Sequence, residues 1–392
     1  MRVLSISTLF PSPPRPAFGQ FVARQMAAVA AQGGDVTVIN PLGVPPWPLS
    51  RREPYAALTR CPPQSQRDGV TVHHPRFTLI PRWGADSNPA RIARAILPLA
   101  LRLHGENPFD LVDAQFFFPD GPAAAIIATR LGLPLSIKAR GSDIHYWSTR
   151  PGALAQIREA ARQASGLLAV SGALKADMAG LGMDAGKIEV HYTGLDHLRF
   201  KPLPHDEARR ALTELDLPVA APLFVVPGAL IAIKGQALAL QALAQLPGAH
   251  LALVGKGPDE AGLRALTAQL GLAGRTHFLG QVSHDRLPLL MAAADAVVLP
   301  SEREGLANVW IEALACGTPL VIPPIGGAAE VITSPAAGRL AERNPDAIAA
   351  ALRDLLNAPP SREATATCAA RFSWEQNGRQ ILAFWNAIAG QG

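Results

Sequence analysis

The sequence predicts an α/β protein made of two doubly wound domains. Short apolar or β-branched runs alternate with longer runs of helical period along the whole chain, the pattern of a parallel sheet with helical crossovers. A length of 392 residues exceeds what one core usually organises and suits two. The weakest patterning falls at residues 201–221, with prolines at both ends, where a linker would sit.

Taken in order, strands are expected at residues 3–7, 36–40, 111–115, 135–139, 167–171 and 188–192 in the first half. In the second half they are expected at 223–227, 251–255, 276–280, 296–300 and 319–323. Helices fill the intervals. The run FVARQMAAVAAQ is followed by Gly33 and Gly34 as a stop signal, and KGQALALQALAQL and EAGLRALTAQLG show the same period. The expected division is therefore 1–200, a linker 201–221, 222–371 and a closing helix in 372–392 with aromatic anchors at Phe372, Trp374, Phe384 and Trp385.

Composition narrows the function classes. An apolar content of 48% supports two buried cores, and a formal charge of +5 is modest. No basic run is interleaved with aromatics as a nucleic-acid groove requires, so nucleic acid is not an expected partner. Cys61, Cys316 and Cys368 are far apart and form no Cys/His ligand set, which fits a reducing compartment without structural zinc. The opening MRVLSISTLFPSPP lacks the form of a signal peptide, and no apolar run approaches the ~18 residues of a membrane span. The expected location is the cytoplasm, or the inner face of the plasma membrane.

The chemistry concentrates at strand ends. Glu304 and Glu312 bracket EGLANVWIE, just after the strand at 296–300, and ligands of open α/β sheets bind outside the carboxyl ends of strands. Complementing a helix dipole accounts for Glu304 but poorly for Glu312, which stands in the apolar run IEALACGTPLVI. Lys234 precedes a helix, where a cation is disfavoured unless an anion such as a pyrophosphate lies between; the alternative is a solvated lysine over a turn. Gly255 and Gly257 follow a strand as G-x-G, with Glu260 where a dinucleotide fingerprint has its third glycine, so they suit a base or ribose better than a nicotinamide cofactor. Gly19 stands between the first strand and first helix, where it either admits an anion to backbone amides or simply closes a proline-rich turn. RGSDIH offers Arg140 and Asp143 to a crevice, or a surface ion pair. GGAAE at 326–330 is another glycine turn into a helix, with Glu330 in its first turn. There is no D-x-D, no paired-histidine spacing and no G-x-S-x-G, which leaves a metal-independent site for a nucleoside diphosphate.

With these residues in view, VLPSEREGLANVWIEALACGTPLVIPPIGGAAEVI resembles the signature block of the family 4 retaining glycosyltransferases of GT-B fold, with its E-x7-E pair. FPSPPRPAFGQFVARQMAAVAAQG, FDLVDAQFFFPDGPAAAIIATRLGLPLSIKARGSDIH, VSGALKADMAGLGMDAGKIEVHYTGLDHLRF and LALVGKGP are similar to further blocks in the same order, leaning towards members that build bacterial capsule, teichuronic acid or exopolysaccharide. The resemblance implies two Rossmann-like domains facing across a cleft, with the last helix crossing back to the first. It implies that Glu304 contacts hydroxyls of the donor sugar, Glu312 the ribose, and Lys234 the diphosphate. Backbone amides of Gly305, Leu306, Ala307 and Asn308 would receive the same phosphates, and Gly19 would approach from the other domain. The donor would be a UDP- or GDP-linked sugar, with no further cofactor and no metal. A front-face transfer would let the leaving phosphate take the acceptor's proton, with charge stabilised by Lys234 and aligned amides. Two positions depart from the family: Ala229 stands where an arginine is frequent, and Arg140 where a histidine contacts the donor. Phosphate charge then rests on Lys234, the helix start and Arg303 or Lys256, and Arg140 suggests a negatively charged donor or acceptor.

A last feature concerns the acceptor. Residues 51–104 hold nine arginines, at 51, 52, 60, 67, 76, 82, 91, 94 and 102, against Glu53, Asp68 and Asp86. In NPARIARAILPLALRL, Ile92, Ile96, Leu99 and Leu103 form one stripe flanked by Arg91, Arg94 and Arg102. That stripe packs on the first sheet, rests on anionic lipid beside a glycan or lipid-linked glycan acceptor, or does both. Rival readings are a GT-B-shaped sugar-nucleotide epimerase, a nucleotide-sugar-binding protein without catalysis and, more distantly, a nicotinamide oxidoreductase.

Overall fold

The structure, a computed structural model, describes residues 1–81, 84–215, 217–283 and 285–390. Arg82 of the basic segment lies outside the described residues. The chain forms two compact units, Met1–Gly194 with Trp374–Gly392, and Leu195–Ser373.

Unit 1 carries β1 (Arg2–Ile6), β2 (Asp35–Ile39), β3 (Leu42–Val44), β4 (Gln64–Arg67), β5 (Val70–His73), β6 (Arg76–Thr78), β7 (Leu111–Ala114), β8 (Leu135–Ala139), β9 (Gly166–Ala169) and β10 (Ile188–Val190). Eight of these form one sheet in the order β10-β9-β8-β7-β1-β2-β5-β4. Its pairs are parallel except the edge hairpin β4/β5, an exception the sequence reading did not foresee. Asp68 and Gly69 both take left-handed φ, 48° and 80°, between those strands, as the twist of a tight hairpin demands. The short strands β3 and β6 pair separately. The strands at 64–67, 70–73 and 76–78 were hidden by prolines, arginines and adjacent histidines that interrupt any apolar run.

Helix Gln20–Ala31 lays Val22, Met26 and Val29 on this sheet, and helix Trp374–Ala389 adds Ile381, Phe384, Trp385 and Ile388 to the same core. Trp385 is fully buried and donates its indole N–H to Ser136 Oγ at 3.1 Å. Of the four aromatic anchors, Phe372 falls in unit 2 and the other three in unit 1. Helix Asn88–Glu106 buries Ile92, Ala93, Ile96, Ala100 and Leu103 in unit 1, so three residues of the arginine-flanked stripe serve packing and Leu99 stays half-buried.

Unit 2 carries β11 (Leu223–Pro227), β12 (His250–Val254), β13 (Thr276–Gly280), β14 (Ala296–Val298), β15 (Leu320–Ile322) and β16 (Gly338–Leu340), all parallel, in the order β13-β12-β11-β14-β15-β16. The stretch expected as a linker is part of this unit. It forms helix His205–Arg210 and a 3-10 turn Ala211–Leu215, with Ala208, Leu212 and Leu217 buried. Arg209 is buried there, bound to the Asp295 carboxylate and to the carbonyls of Ala293 and Ala221. A charged, proline-bounded segment reads as solvated from composition. Only the tertiary acceptors that surround its arginine show otherwise. No helix among the described residues is long and apolar enough to cross a membrane.

Candidate functional site

In unit 2 the strand order reverses beside β11: chain order runs outward to β12 and β13, then returns to β14 on the other side. Such a switch point opens a crevice at the carboxyl ends of the two central strands, because their following loops leave in opposite directions. The loop after β11 supplies Lys234, and the loop after β14 supplies Glu304. The two meet, with Lys234 Nζ 2.5 Å from Glu304 Oε1. Their side chains are 24% and 13% exposed, enough for water or a ligand to reach them and too little for free solvation.

Glycines let the backbones close around this pair. Gly235 has φ 71°, and a Cβ there would lie 2.2 Å from the carbonyl oxygen of Pro300. Gly326, after β15, has φ 48°, and its added Cβ would lie 2.0 Å from Glu304 O. The amide of Gly327 then donates to Gly305 O at 2.7 Å, and the amide of Glu302 to Ile233 O at 2.8 Å. Loops after three adjacent strands are thus stitched together at the ion pair. Gly305, Leu306 and Ala307 lead into helix Asn308–Ala315, whose N-cap residue, Ala307, provides no side-chain acceptor for the first-turn amides. Those amides and the helix dipole form an electropositive end directly after Glu304. Glu312 stands half-buried on the second turn of that helix, and its charge pushes the Cys316 thiol further up, after burial, to about 12.

Gly255 and Gly257, expected beside a base or ribose, also serve the packing of their own loop. A Cβ at Gly255 would lie 2.0 Å from Gly228 O, and one at Gly257 2.1 Å from Leu230 O. Both are required so that the loops after β11 and β12 can touch backbone to backbone. Lys256 between them is exposed. Arg303 pairs with Glu302 at 3.3 Å. Ala229 contributes its carbonyl to the Gln236 side chain.

Unit 1 has its own switch point, between β1 and β7. Gly19 closes the loop after β1 with φ 67°, and a Cβ there would lie 2.5 Å from Leu9 O, so a close backbone turn already requires it. Thr8 binds Asp120 across the switch point through both its amide and its hydroxyl, at 2.9 and 2.8 Å. Burial raises the Asp120 carboxyl to about 7.

Arg140, after β8, turns its guanidinium onto neutral oxygens: Gln115 O at 2.8 Å, Gln115 Oε1 at 2.5 Å and Gln25 Oε1 at 3.3 Å. It also lies 4.8 Å over the Phe21 ring. Asp143 does not face a crevice. It is fully buried and accepts the amides of Phe117, Arg140 and Gly141, which makes it the brace of the loop that carries Arg140. Beneath them is a pair the sequence reading missed. Lys138, fully buried, reaches Gln25 Oε1 at 3.0 Å and His191 Nδ1 at 2.7 Å. Burial first, then neighbouring cationic charge, drives both the Lys138 and the His191 pKa well down. A lysine in the middle of a central parallel strand was the available signal, since such strands are covered on both faces. Among the described residues no three His, Cys, Asp or Glu side chains group as metal ligands.

Comparison with known proteins agrees with this architecture. Residues 18–194 match the family model described as glycosyl transferase 4-like domain, and residues 210–372 the one described as glycosyl transferases group 1. A Bacillus subtilis protein named as the teichuronic acid biosynthesis glycosyltransferase TuaC is 30% identical, over 83% of this chain and 82% of its own. D-inositol 3-phosphate glycosyltransferase of Mycolicibacterium gilvum is 36% identical over 53% of this chain, an alignment that spans 48% of that enzyme. Among solved structures, sucrose-phosphate synthase of Thermosynechococcus elongatus superposes over the whole of both chains with TM-score 0.80 at 20% identity. The Anabaena protein HepE in complex with UDP gives 0.77 at 21% identity, over 99% of this chain and 100% of that one. At these identities the structural likeness shows the fold, which is GT-B.

Proposed function

Because the chain belongs to the group 1 and 4-like glycosyltransferases, we propose that it moves a hexose-type sugar from a UDP- or GDP-linked donor to a glycan or lipid-linked glycan. The transfer would retain the donor's anomeric configuration, need no metal, and serve cell-surface polysaccharide synthesis. The relative named for teichuronic acid supports that setting, and the UDP and UDP-glucose complexes of HepE support a nucleotide-sugar donor.

The observation that carries the reading is the Lys234–Glu304 pair at the β11/β14 switch point, beside a helix start without a side-chain cap. A diphosphate placed there gains a cation and amides already aimed at the charge that grows as the sugar leaves. In the proposed step the bond from C1 to the β-phosphate oxygen breaks while the acceptor oxygen bonds C1 from the same face. The acceptor's proton passes to the departing phosphate oxygen, so no protein nucleophile is consumed. Glu304, relieved of Lys234 by the incoming phosphate, accepts hydroxyls of the transferred sugar, and Glu312 accepts those of the ribose. Amides of Gly305, Leu306, Ala307 and Asn308 hold the phosphates. Gly255 and Gly257 act by letting the neighbouring loop close, and Gly19 by shaping the turn after β1. Arg140, whose side-chain hydrogen-bond acceptors are neutral, would offer its positive charge to an anionic group of donor or acceptor.

The test is to incubate the protein with a panel of UDP- and GDP-sugars, with and without glycan acceptors, and resolve the products and their anomers by NMR. Transfer that depends on acceptor, with retained configuration in chelator, supports the reading. Conversion of donor without acceptor favours an epimerase, and inverted product overturns the mechanism.

A further inference from the structure

Most of the stripe of helix Asn88–Glu106 is buried, and unit 1 displays another apolar and basic element. Trp47 is 74% exposed, the most exposed large apolar side chain of this unit among the described residues, and Leu49 is 40% exposed. They stand with the exposed Pro46 and Pro48 on the segment joining β3 to helix Tyr55–Thr59. Arg51 and Arg52 follow after Ser50, exposed and without an ion-pair partner among the described residues. The adjacent acid, Glu53, is already paired with Arg60 at 3.1 Å. The base of this tip is fixed, because Leu42, Leu58 and Cys61 bury one another with Val44 and Tyr55 against them. Beside it a cavity of about 350 Å³ is lined by Arg15, Phe18, Leu42, Tyr55 and Phe77, sharing Leu42 and Tyr55 with that base.

We propose that residues 46–52 are a membrane-resting tip that docks unit 1 on an anionic lipid surface. An indole beside a leucine settles at the lipid–water boundary, and unpaired guanidinium groups next to them meet lipid phosphates. A protein partner is a poorer fit: a tip of four apolar residues falls far short of the roughly 800 Å² per side of a stable protein interface. A bilayer takes a wedge of any size. The inference deepens the transferase reading, since a lipid-linked acceptor is met at such a surface, and it places the Arg15 cavity next to the headgroup layer. Vesicle binding is measured without turnover, so either idea can fail while the other stands.

The experiment is flotation of the full chain with phosphatidylcholine vesicles, with and without about a third phosphatidylglycerol, at low and high salt. Wild type is expected to float with the anionic vesicles alone and to be released by salt. R51A/R52A should bind about 25-fold more weakly, each basic residue near the surface being worth about fivefold. W47A/L49A should also lose binding, along with quenching of tryptophan fluorescence by brominated lipid. Circular dichroism should leave both variants folded, and transfer to a soluble acceptor should be unchanged. Wild type that ignores anionic vesicles, or two double variants that float as wild type does, would overturn the proposal.

Discussion

Lys234 and Glu304 occupy one another in the free protein, and this makes a sharp prediction about what each does when a nucleoside diphosphate arrives. The contact is 2.5 Å between partly shielded groups. Unit charges ~4 Å apart at an effective dielectric of ~20 attract by about 4 kcal/mol before desolvation, and exposed pairs keep at most about 1 kcal/mol of that. A diphosphate must displace the Glu304 carboxylate from the ammonium, so Glu304→Gln should bind UDP or GDP as tightly as wild type or up to about fivefold more tightly. Lys234→Met removes a charge-assisted hydrogen bond worth about 1.5–3 kcal/mol and leaves Glu304 facing the phosphates, so affinity should fall by at least about 15–150-fold. In the double variant that repulsion is gone, and it should bind better than Lys234→Met alone, a non-additive cycle. Turnover should drop by at least about 100-fold in both single variants. Isothermal titration with UDP and GDP, beside initial rates with the matching sugar nucleotide, reads all four corners. Equal loss of diphosphate affinity in Glu304→Gln and Lys234→Met would refute the division of roles.

Three further outcomes are expected. Glu312→Ala should weaken binding of the free nucleoside diphosphate by about 1–3 kcal/mol, while Glu304→Ala should spare it and lose turnover, both read by titration. Gly255→Ala places a Cβ 2.0 Å from Gly228 O at φ 139°, and should cost at least about 2 kcal/mol in a denaturant melt. The control Gly262→Ala, in helix Glu260–Gln269 with nothing within 4 Å of its added Cβ, should be neutral or stabilising. His74 is buried between Ser65 and Asn40, and burial, helped by His73, lowers its pKa from 6.5 to about 4. The folded state therefore resists a proton that the unfolded chain accepts. Stability from this group is complete above about 6.5 and declines as the pH falls towards about 4, by roughly 3 kcal/mol in all. His74→Gln should flatten that part of a urea-midpoint profile against pH, and an unchanged difference from wild type between pH 7 and 4 would exclude the effect.

What was legible follows from what sequence patterns encode. The central parallel strands, buried on both faces, announce themselves as apolar runs, and each expected strand overlaps an observed one from β1 to β15. Edge strands need no such run. β4 alternates half-buried and exposed polar residues, and only the Asp68-Gly69 turn betrays it. Glu304, Lys234 and the helix start were visible because a charge at a strand end is anomalous locally. That Lys234 touches Glu304, 70 residues on, is a matter of strand order. Gly255 and Gly257 show the converse: the motif was visible, but a G-x-G spacing does not reveal that both glycines also admit the backbone of the neighbouring loop. The Lys138–His191 contact joins residues 53 apart through the interior, and nothing local predicts it beyond the oddity of a lysine in a buried strand.

That oddity bears on Arg140. Three buried carboxyls, Asp113, Asp120 and Asp143, have their pKa raised by burial, and Lys138 and His191 have theirs lowered by it. Every one of these groups is pushed towards its neutral form except where hydrogen bonds or Arg140 oppose the push. Arg140 itself, lowered by burial to about 10, still carries its charge at neutral pH. Gln25 Oε1 accepts from both Lys138 Nζ and Arg140 Nη2 and ties the two together without adding charge. The Arg140 guanidinium is thus held at the strand end by the neutral oxygens of Gln115 and Gln25, with the charges of Asp143 and Asp113 favouring its protonated form. A histidine in that place would titrate near neutrality and lose its charge to burial, whereas arginine keeps it. That persistent charge is the physical ground for the proposal that Arg140 meets an anionic group on the donor or acceptor.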